Sequence, residues 1–341
     1  MRNEELYKKI KSNWDNLSKP LDGLGEFETV LSRIGAIQGS ENIALFPSTL
    51  LIFIADNGII EEGVSQSGSD VTYEVAKALG KSISTVCHMA KSVGMNIKNV
   101  NVGIKEKGEI EGVENRRVAY GTNNFLIEPA MSEGDMNKAI EIGKECVYKL
   151  KEEGNKVIAL GEMGIGNTTT SAAVLAGLCK ISADKVCSRG AGLSDEGLLR
   201  KIKVVDEAIK KYDLYNLPPK EILRCVGGFD IAALMGVYLM ASTLNVPIIS
   251  DGFITSVAAL LAKRIDDSVK DIVFFSHNAK ENGIKYILDE FEAKPVINAN
   301  MALGEGTGTC IFMAAAKCAL SVYEGGTHFE DINVNKYERF V

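Results

Sequence analysis

The stretch Val157-Ile158-Ala159-Leu160-Gly161-Glu162-Met163-Gly164-Ile165-Gly166-Asn167-Thr168-Thr169-Thr170 constrains the fold more than any other in the chain. It reads as a short apolar strand, a glycine-rich turn holding one carboxylate, and the start of an alanine-rich helix over 171–178. A strand that breaks into glycines and re-emerges as a helix leaves unpaired backbone N–H groups at the helix start. Together with the helix dipole these favour an anion such as phosphate. Gly164 and Gly166 permit close backbone approach, and Asn167 or Thr168 can cap the helix. The spacing is neither G-x-x-x-x-G-K-[ST] nor G-x-G-x-x-G, so neither nucleotide-binding signature is matched. An ordinary strand–turn–helix connection uses the same residues, and the local pattern leaves both readings open. Glu162 is the unusual member, because a carboxylate inside the loop would repel a phosphate unless it serves something else.

The same grammar recurs along the chain. Residues 50–55 are wholly apolar and run into Asp56-Asn57-Gly58. A strand apolar on both sides belongs to a parallel sheet covered on both faces. A carboxylate at its C-terminal end lies where ligands bind in open α/β sheets, although a plain turn role would serve Asp56 equally. Further strands are expected at 99–104, at 247–253 ending in Asp251-Gly252-Phe253, and at 272–277 ending in Ser276-His277. Helices are expected over about 71–93 and 132–153, after Ser194-Asp195-Glu196, after Gly227-Gly228, and over 310–322. The helix after Ser194 carries Lys201, Lys203, Lys210 and Lys211, for the most part a solvated face. Two N-terminal helices flank a break at Lys19-Pro20-Leu21-Asp22-Gly23-Leu24-Gly25 and carry nothing catalytic. Regular alternation of strands and helices predicts a doubly wound, mostly parallel α/β sheet with strand-end polar residues lining one crevice.

Composition narrows the function. A formal charge of −7 argues against nucleic acid as a partner, which would need a basic surface. The N-terminus has no apolar signal core and no run approaches a membrane span, so no membrane role is expected. The seven cysteines form no C-x-x-C pair and lie mostly in apolar runs, which suits buried thiols in a reducing, cytoplasmic compartment. The three histidines stand at no metal-ligand spacing, so neither metal nor cofactor is expected. His277 at a strand end reads as a packed or turn histidine.

Near the C-terminus Leu303-Gly304-Glu305-Gly306-Thr307-Gly308-Thr309 again sets one carboxylate among glycines before an alanine-rich helix. Alone, Glu305 reads equally as a first-turn acid stabilised by the helix dipole. Two such acids with a phosphate-binding loop suit a small phosphorylated substrate and proton abstraction.

Taken in order, these motifs resemble, over nearly the whole chain, the nicotinate-nucleotide–dimethylbenzimidazole phosphoribosyltransferases of cobalamin biosynthesis. The matching pieces are Ala55-Asp56-Asn57-Gly58 with Glu62-Gly63-Val64, Gly161-Glu162-Met163-Gly164-Ile165-Gly166-Asn167-Thr168-Thr169, Gly227-Gly228-Phe229-Asp230, Asp251-Gly252-Phe253, Ser276-His277, and Leu303-Gly304-Glu305-Gly306-Thr307-Gly308. The resemblance implies a large Rossmann-like α/β domain over about 41–284 and a smaller helical domain from both termini, 1–40 plus about 285–341, in a homodimer. It implies transfer of phosphoribose from nicotinate mononucleotide to 5,6-dimethylbenzimidazole, giving α-ribazole 5′-phosphate and nicotinate.

By the same resemblance Glu305 is the general base, and Glu162 stabilises positive charge on the ribose or holds its hydroxyls. Gly164, Ile165, Gly166, Asn167 and Thr168 cradle the 5′-phosphate with Lys201 as charged partner, and Gly190 borders the pocket. Ser67, Val75 and Leu303 fall on the base side. Val75 and Ala78 stand where the family carries polar residues, and the segment Lys19-Pro20-Leu21-Asp22-Gly23-Leu24-Gly25 departs from Lys-Pro-Pro-Gly-Ser-Leu-Gly. The accepted base therefore stays open among dimethylbenzimidazole, another benzimidazole, a purine or a phenol. A non-catalytic nucleotide-binding relative is the reading from a different class.

Overall fold

A computed structural model describes residues 2–190 and 192–339. Its centre is a six-stranded, wholly parallel sheet in the order β3-β2-β1-β4-β5-β6. The strands are β1 (Ser48–Ala55), β2 (Asn96–Gly103), β3 (Glu114–Asn115), β4 (Val157–Met163), β5 (Ile248–Ser250) and β6 (Val273–Phe275). Every residue of β1 is buried, as an apolar strand between two helical layers should be. The chain winds outward from β1 through β2 to β3, returns to β4 beside β1, and winds outward again. The strand order therefore reverses between β1 and β4, and the crevice beyond their C-terminal ends is where such sheets bind ligands. Register sets Phe53 against Glu162 there.

The helices in chain order are α1 (Glu4–Asp15), α2 (Glu26–Gln38), α3 (Ser69–Gly80), α4 (Thr85–Val93), α5 (Glu133–Glu152), α6 (Asn167–Cys179), α7 (Ala183–Val186), α8 (Asp195–Tyr212), α9 (Pro219–Val226), α10 (Phe229–Leu244), α11 (Phe253–Ile265), α12 (Ile284–Glu290) and α13 (Thr307–Gly325). The helix expected over 71–93 is two helices. Gly80 ends α3 where the Glu111 carbonyl approaches too closely for any Cβ, and Ser82 then turns left-handed at φ 58°. Apolar periodicity continues through the break, which is why the sequence reads as one element.

Buried α10 packs on α5 through bare backbone. A Cβ on Gly143 would collide with the Ala233 carbonyl, and one on Gly236 with that of Ile140. Such close approach lets the large neighbours fill the layer, and burying a side chain such as Leu234 or Val237 contributes ~1.5–3 kcal/mol. The chain ends meet away from the crevice. Trp14 of α1 lies 4.8 Å from the ring of Tyr323 on α13, and Phe27 of α2 lies 6.3 Å from Phe312. Among the described residues no helix is long and apolar enough to cross a membrane.

Candidate active site

The crevice is a cleft at the C-terminal ends of β4, β5 and β6, where open parallel sheets bind small molecules. Both glutamates open into it, one from each glycine loop. The two loops are stacked directly. A Cβ on Gly161 would press on the Glu305 carbonyl, and one on Gly304 would lie 3.3 Å from Glu162 Oε1. Neither loop tolerates bulk at that seam, so the Gly-Glu pairs have a steric as well as a chemical reason.

Glu305 adopts φ 59°, between Gly304 at 84° and Gly306 at 92°. A left-handed glutamate is a strained choice, the kind retained where a side chain must point one way. Asp251, just past β5, fastens this loop. Its Oδ2 accepts from Gly306 N at 3.1 Å and its Oδ1 from Gly308 N at 2.8 Å. Those donors belong to the start of α13, so a carboxylate satisfies them and also suits the helix dipole. Glu305 Oε2 is buried without a hydrogen-bond partner. Burial, and then the Asp251 charge, hold the Glu305 carboxyl above its ordinary range. A buried carboxyl with an unused oxygen is ready to accept a proton from a ligand.

Glu162 is buried more deeply. Burial, then Asp230 and Asp251, raise its carboxyl well above the usual value. The sequence admits Asn167 as a helix cap, but the cap is Gly166 at φ 95°. The Asn167 amide instead donates to Glu162 Oε2 and to Asp230 Oδ2, the latter at 3.2 Å. Glycine alone makes the turn, which frees the asparagine for this bridge.

Of the residues expected to cradle phosphate, Gly164, Ile165, Asn167, Thr168 and Gly190 line the cleft. Gly166 is not among its lining residues; it sits against Ile60 and Asn57. Ile165 N is tied to Thr72 Oγ1 of α3 at 3.1 Å. Lys201 is fully buried, unlike the solvated Lys203, and its Nζ donates to Thr168 Oγ1 at 2.9 Å. Burial brings its ammonium down to about 8. On the base side, Leu303 lines the cleft with Met163, Phe253, Ile254 and Met301. Ser67 and Val75 do not line it; Val75 is half-buried on α3 and packs against the core.

Several cleft residues were not singled out by sequence reasoning. Asp251 carried a strand-end signal, whereas Glu281, which also lines the cleft, carried none. His277 lines it too, its Nδ1 paired with Ser276 Oγ at 2.9 Å and its basicity lowered by burial. No group of three or more His, Cys, Asp or Glu side chains among the described residues is arranged to hold a metal.

Comparison with known proteins bears on this arrangement. A family model described as "Phosphoribosyltransferase" matches residues 1–334. The nicotinate-nucleotide–dimethylbenzimidazole phosphoribosyltransferase of Acetivibrio thermocellus is 38% identical over 338 residues, covering 98% of this chain and 96% of that protein. The enzyme of the same name from Shewanella oneidensis is 31% identical over 95% of this chain and 93% of its own length. The crystal structure of CobT from Thermus thermophilus superposes with a TM-score of 0.92 at 30% identity, covering 98% of this chain and all of the other. With end-to-end similarity in both sequence and fold, the chain belongs to the nicotinate-nucleotide–dimethylbenzimidazole phosphoribosyltransferase family.

Proposed function

We propose that the chain transfers the 5-phosphoribosyl group of nicotinate mononucleotide to 5,6-dimethylbenzimidazole, giving α-ribazole 5′-phosphate, nicotinate and a proton, in assembly of the cobalamin nucleotide loop. The observation that carries this reading is the pairing of Glu162 and Glu305, on two stacked glycine loops, in one cleft with an apolar wall, with buried Lys201 behind the cleft residue Thr168.

The 5′-phosphate sits at the start of α6, against Gly164, Ile165, Asn167 and Thr168, with Lys201 supplying positive charge through Thr168. The planar base lies against Met163, Phe253, Met301 and Leu303, with Ser67 and Val75 as outer residues reached when the bound base extends beyond the cleft. The free ring nitrogen of the neutral benzimidazole attacks C1′ while Glu305 accepts the proton from the other nitrogen, so the alkylated ring ends neutral. The C1′–N bond to the pyridinium breaks, and its electron pair leaves with the ring as neutral-nitrogen nicotinate. Glu162 faces the ribose and offsets the positive charge that develops between bond breaking and bond making. Attack opposite the leaving group turns the β-nucleotide into the α-product. Holding both partners in line contributes at most ~7–11 kcal/mol, and a positioned base ~10²–10⁴-fold.

We also read α1, α2 and α13 as the small helical unit, 1–40 plus about 285–341, of a cytoplasmic homodimer. The test of function is nicotinate mononucleotide incubated with a panel of bases, with product masses recorded. Dimethylbenzimidazole should give α-ribazole phosphate. A larger turnover with a purine or phenol would move the assignment to that base, and no nicotinate release with any base would defeat catalysis.

A further inference from the structure

The phosphate-binding loop carries an acid, and the cleft around it adds Asp251, Glu281 and Glu305. If all were ionised, a nucleotide phosphate would meet repulsion where it should be held. The polar cluster behind the loop resolves this.

Asp230, in the first turn of α10, is fully buried and does not line the cleft. Its Oδ2 takes a bond from the same Asn167 amide that reaches Glu162, and its Oδ1 accepts from Ile231 N at 2.9 Å. So Asp230 has two donors and a helix N-terminus beside it, all favouring its anion. Among the described residues Glu162 has the Asn167 amide as its one hydrogen-bond donor, and no ion pair. Two buried carboxylates on one amide do not both ionise readily. The one with more hydrogen-bond donors keeps the charge, and the other keeps the proton.

We propose that Asp230, acting through Asn167, is a positioning residue that holds Glu162 neutral while the cleft is empty, so that the loop accepts an anionic phosphate. The negative charge is thereby kept behind the loop instead of at its face. When the nucleotide arrives, the positive charge of its pyridinium favours ionisation of Glu162, with its proton lost to solvent. This rests on the reading of the loop as a phosphate site. The groups that face the pair are Asp56 at the end of β1, Asp251 after β5, Glu305 before α13, and Lys201 of α8 by way of Thr168.

The test measures binding of inorganic phosphate and of nicotinate mononucleotide, by calorimetry across pH, to wild type, Asp230→Asn, Glu162→Gln and the double variant. Asp230→Asn moves the charge from behind the loop to Glu162 at its face. Phosphate should then bind on the order of tenfold more weakly near neutral pH and recover as the pH falls. The double variant should bind as Glu162→Gln does. An equal loss in both backgrounds, or no loss, overturns the proposal, since a helix-capping role for Asp230 would not depend on Glu162. The infrared band of a buried protonated carboxyl gives a second reading that needs no ligand and no Asp230 variant. It should be present in wild type near neutral pH and absent from Glu162→Gln, and its absence from wild type also overturns the proposal. Wild type that shows this band yet binds neither phosphate nor nucleotide defeats the phosphate-site reading instead.

Discussion

The two glycine–glutamate loops have nearly the same sequence pattern and opposite construction. Glu162 ends a regular strand, and its carboxylate is tethered by Asn167 with Asp230 behind it. Glu305 stands in a left-handed turn between two left-handed glycines, its backbone fastened by Asp251 and its Oε2 unpartnered. One loop fixes the side chain and the other fixes the main chain. A tethered carboxyl suits a group that must hold one position, whereas an unpartnered one suits a base that must pick up a proton. The same local motif thus supports two roles because tertiary neighbours differ.

The sharpest way to break this contrast is Glu305→Gln, which keeps shape and removes basicity. Product formation should fall by about 10³-fold, while nicotinate mononucleotide binding measured by calorimetry is retained. Equal losses in binding and turnover would make Glu305 a donor-site residue and erase the division. Glu162→Gln comes next, with kcat falling by about 10²-fold as fixed charge near the ribose is lost. Steady-state kinetics should show KM for the base nearly unchanged.

How much of this contrast is legible before folding depends on how local each cause is. Gly161-Glu162 and Gly304-Glu305 announce themselves because strand, glycine and acid lie within a few residues. The parallel sheet is legible from the apolar runs at 50–55 and 157–160 for the same reason. Lys201 hides among charged neighbours, yet it shares a helical face with the buried Val204, Val205 and Ala208; its burial follows from spacing that the charge count obscures. Asp230 and Glu281 give no local sign. Asp230 takes its environment largely from distant segments, as the Asn167–Asp230 bond across 63 residues illustrates, and Glu281 owes its surroundings to Asp251 and Lys201 as well as to nearby His277. The close approach of the Glu111 carbonyl to Gly80 is hidden likewise.

Asp251→Asn tests the fastening of the Glu305 loop and should have a smaller effect on turnover than either glutamate change. An amide offers one acceptor where the carboxylate offers two, so one of Gly306 N and Gly308 N loses its partner, a cost of about 1–3 kcal/mol read in urea or thermal unfolding. The Asp251 charge also helps hold the Glu305 proton. A base works when ionised, so in wild type activity declines as pH falls through a raised carboxyl value. Without the Asp251 charge that acid limb should move to lower pH. A limb that stays put while stability falls would leave Asp251 with a structural part only.

The smallest effect belongs to the donor side. Lys201 loses its charge near pH 8 because it is buried, not because an opposing cation lies against it. On the proposed reading, its contribution to phosphate binding is complete below that pH and lost above it. Affinity for nicotinate mononucleotide should weaken by roughly several-fold between pH 7 and 9, a modest change because the backbone donors at the start of α6 remain. In Lys201→Met the alkaline decline should vanish, with a uniformly weaker affinity in its place. The unfolded chain holds the lysine proton up to its ordinary value of 10.5, so wild-type stability should rise slightly with pH from about 8 toward that value. A decline in affinity that survives Lys201→Met would belong to another group, and the tethered loop would then hold phosphate by its backbone alone.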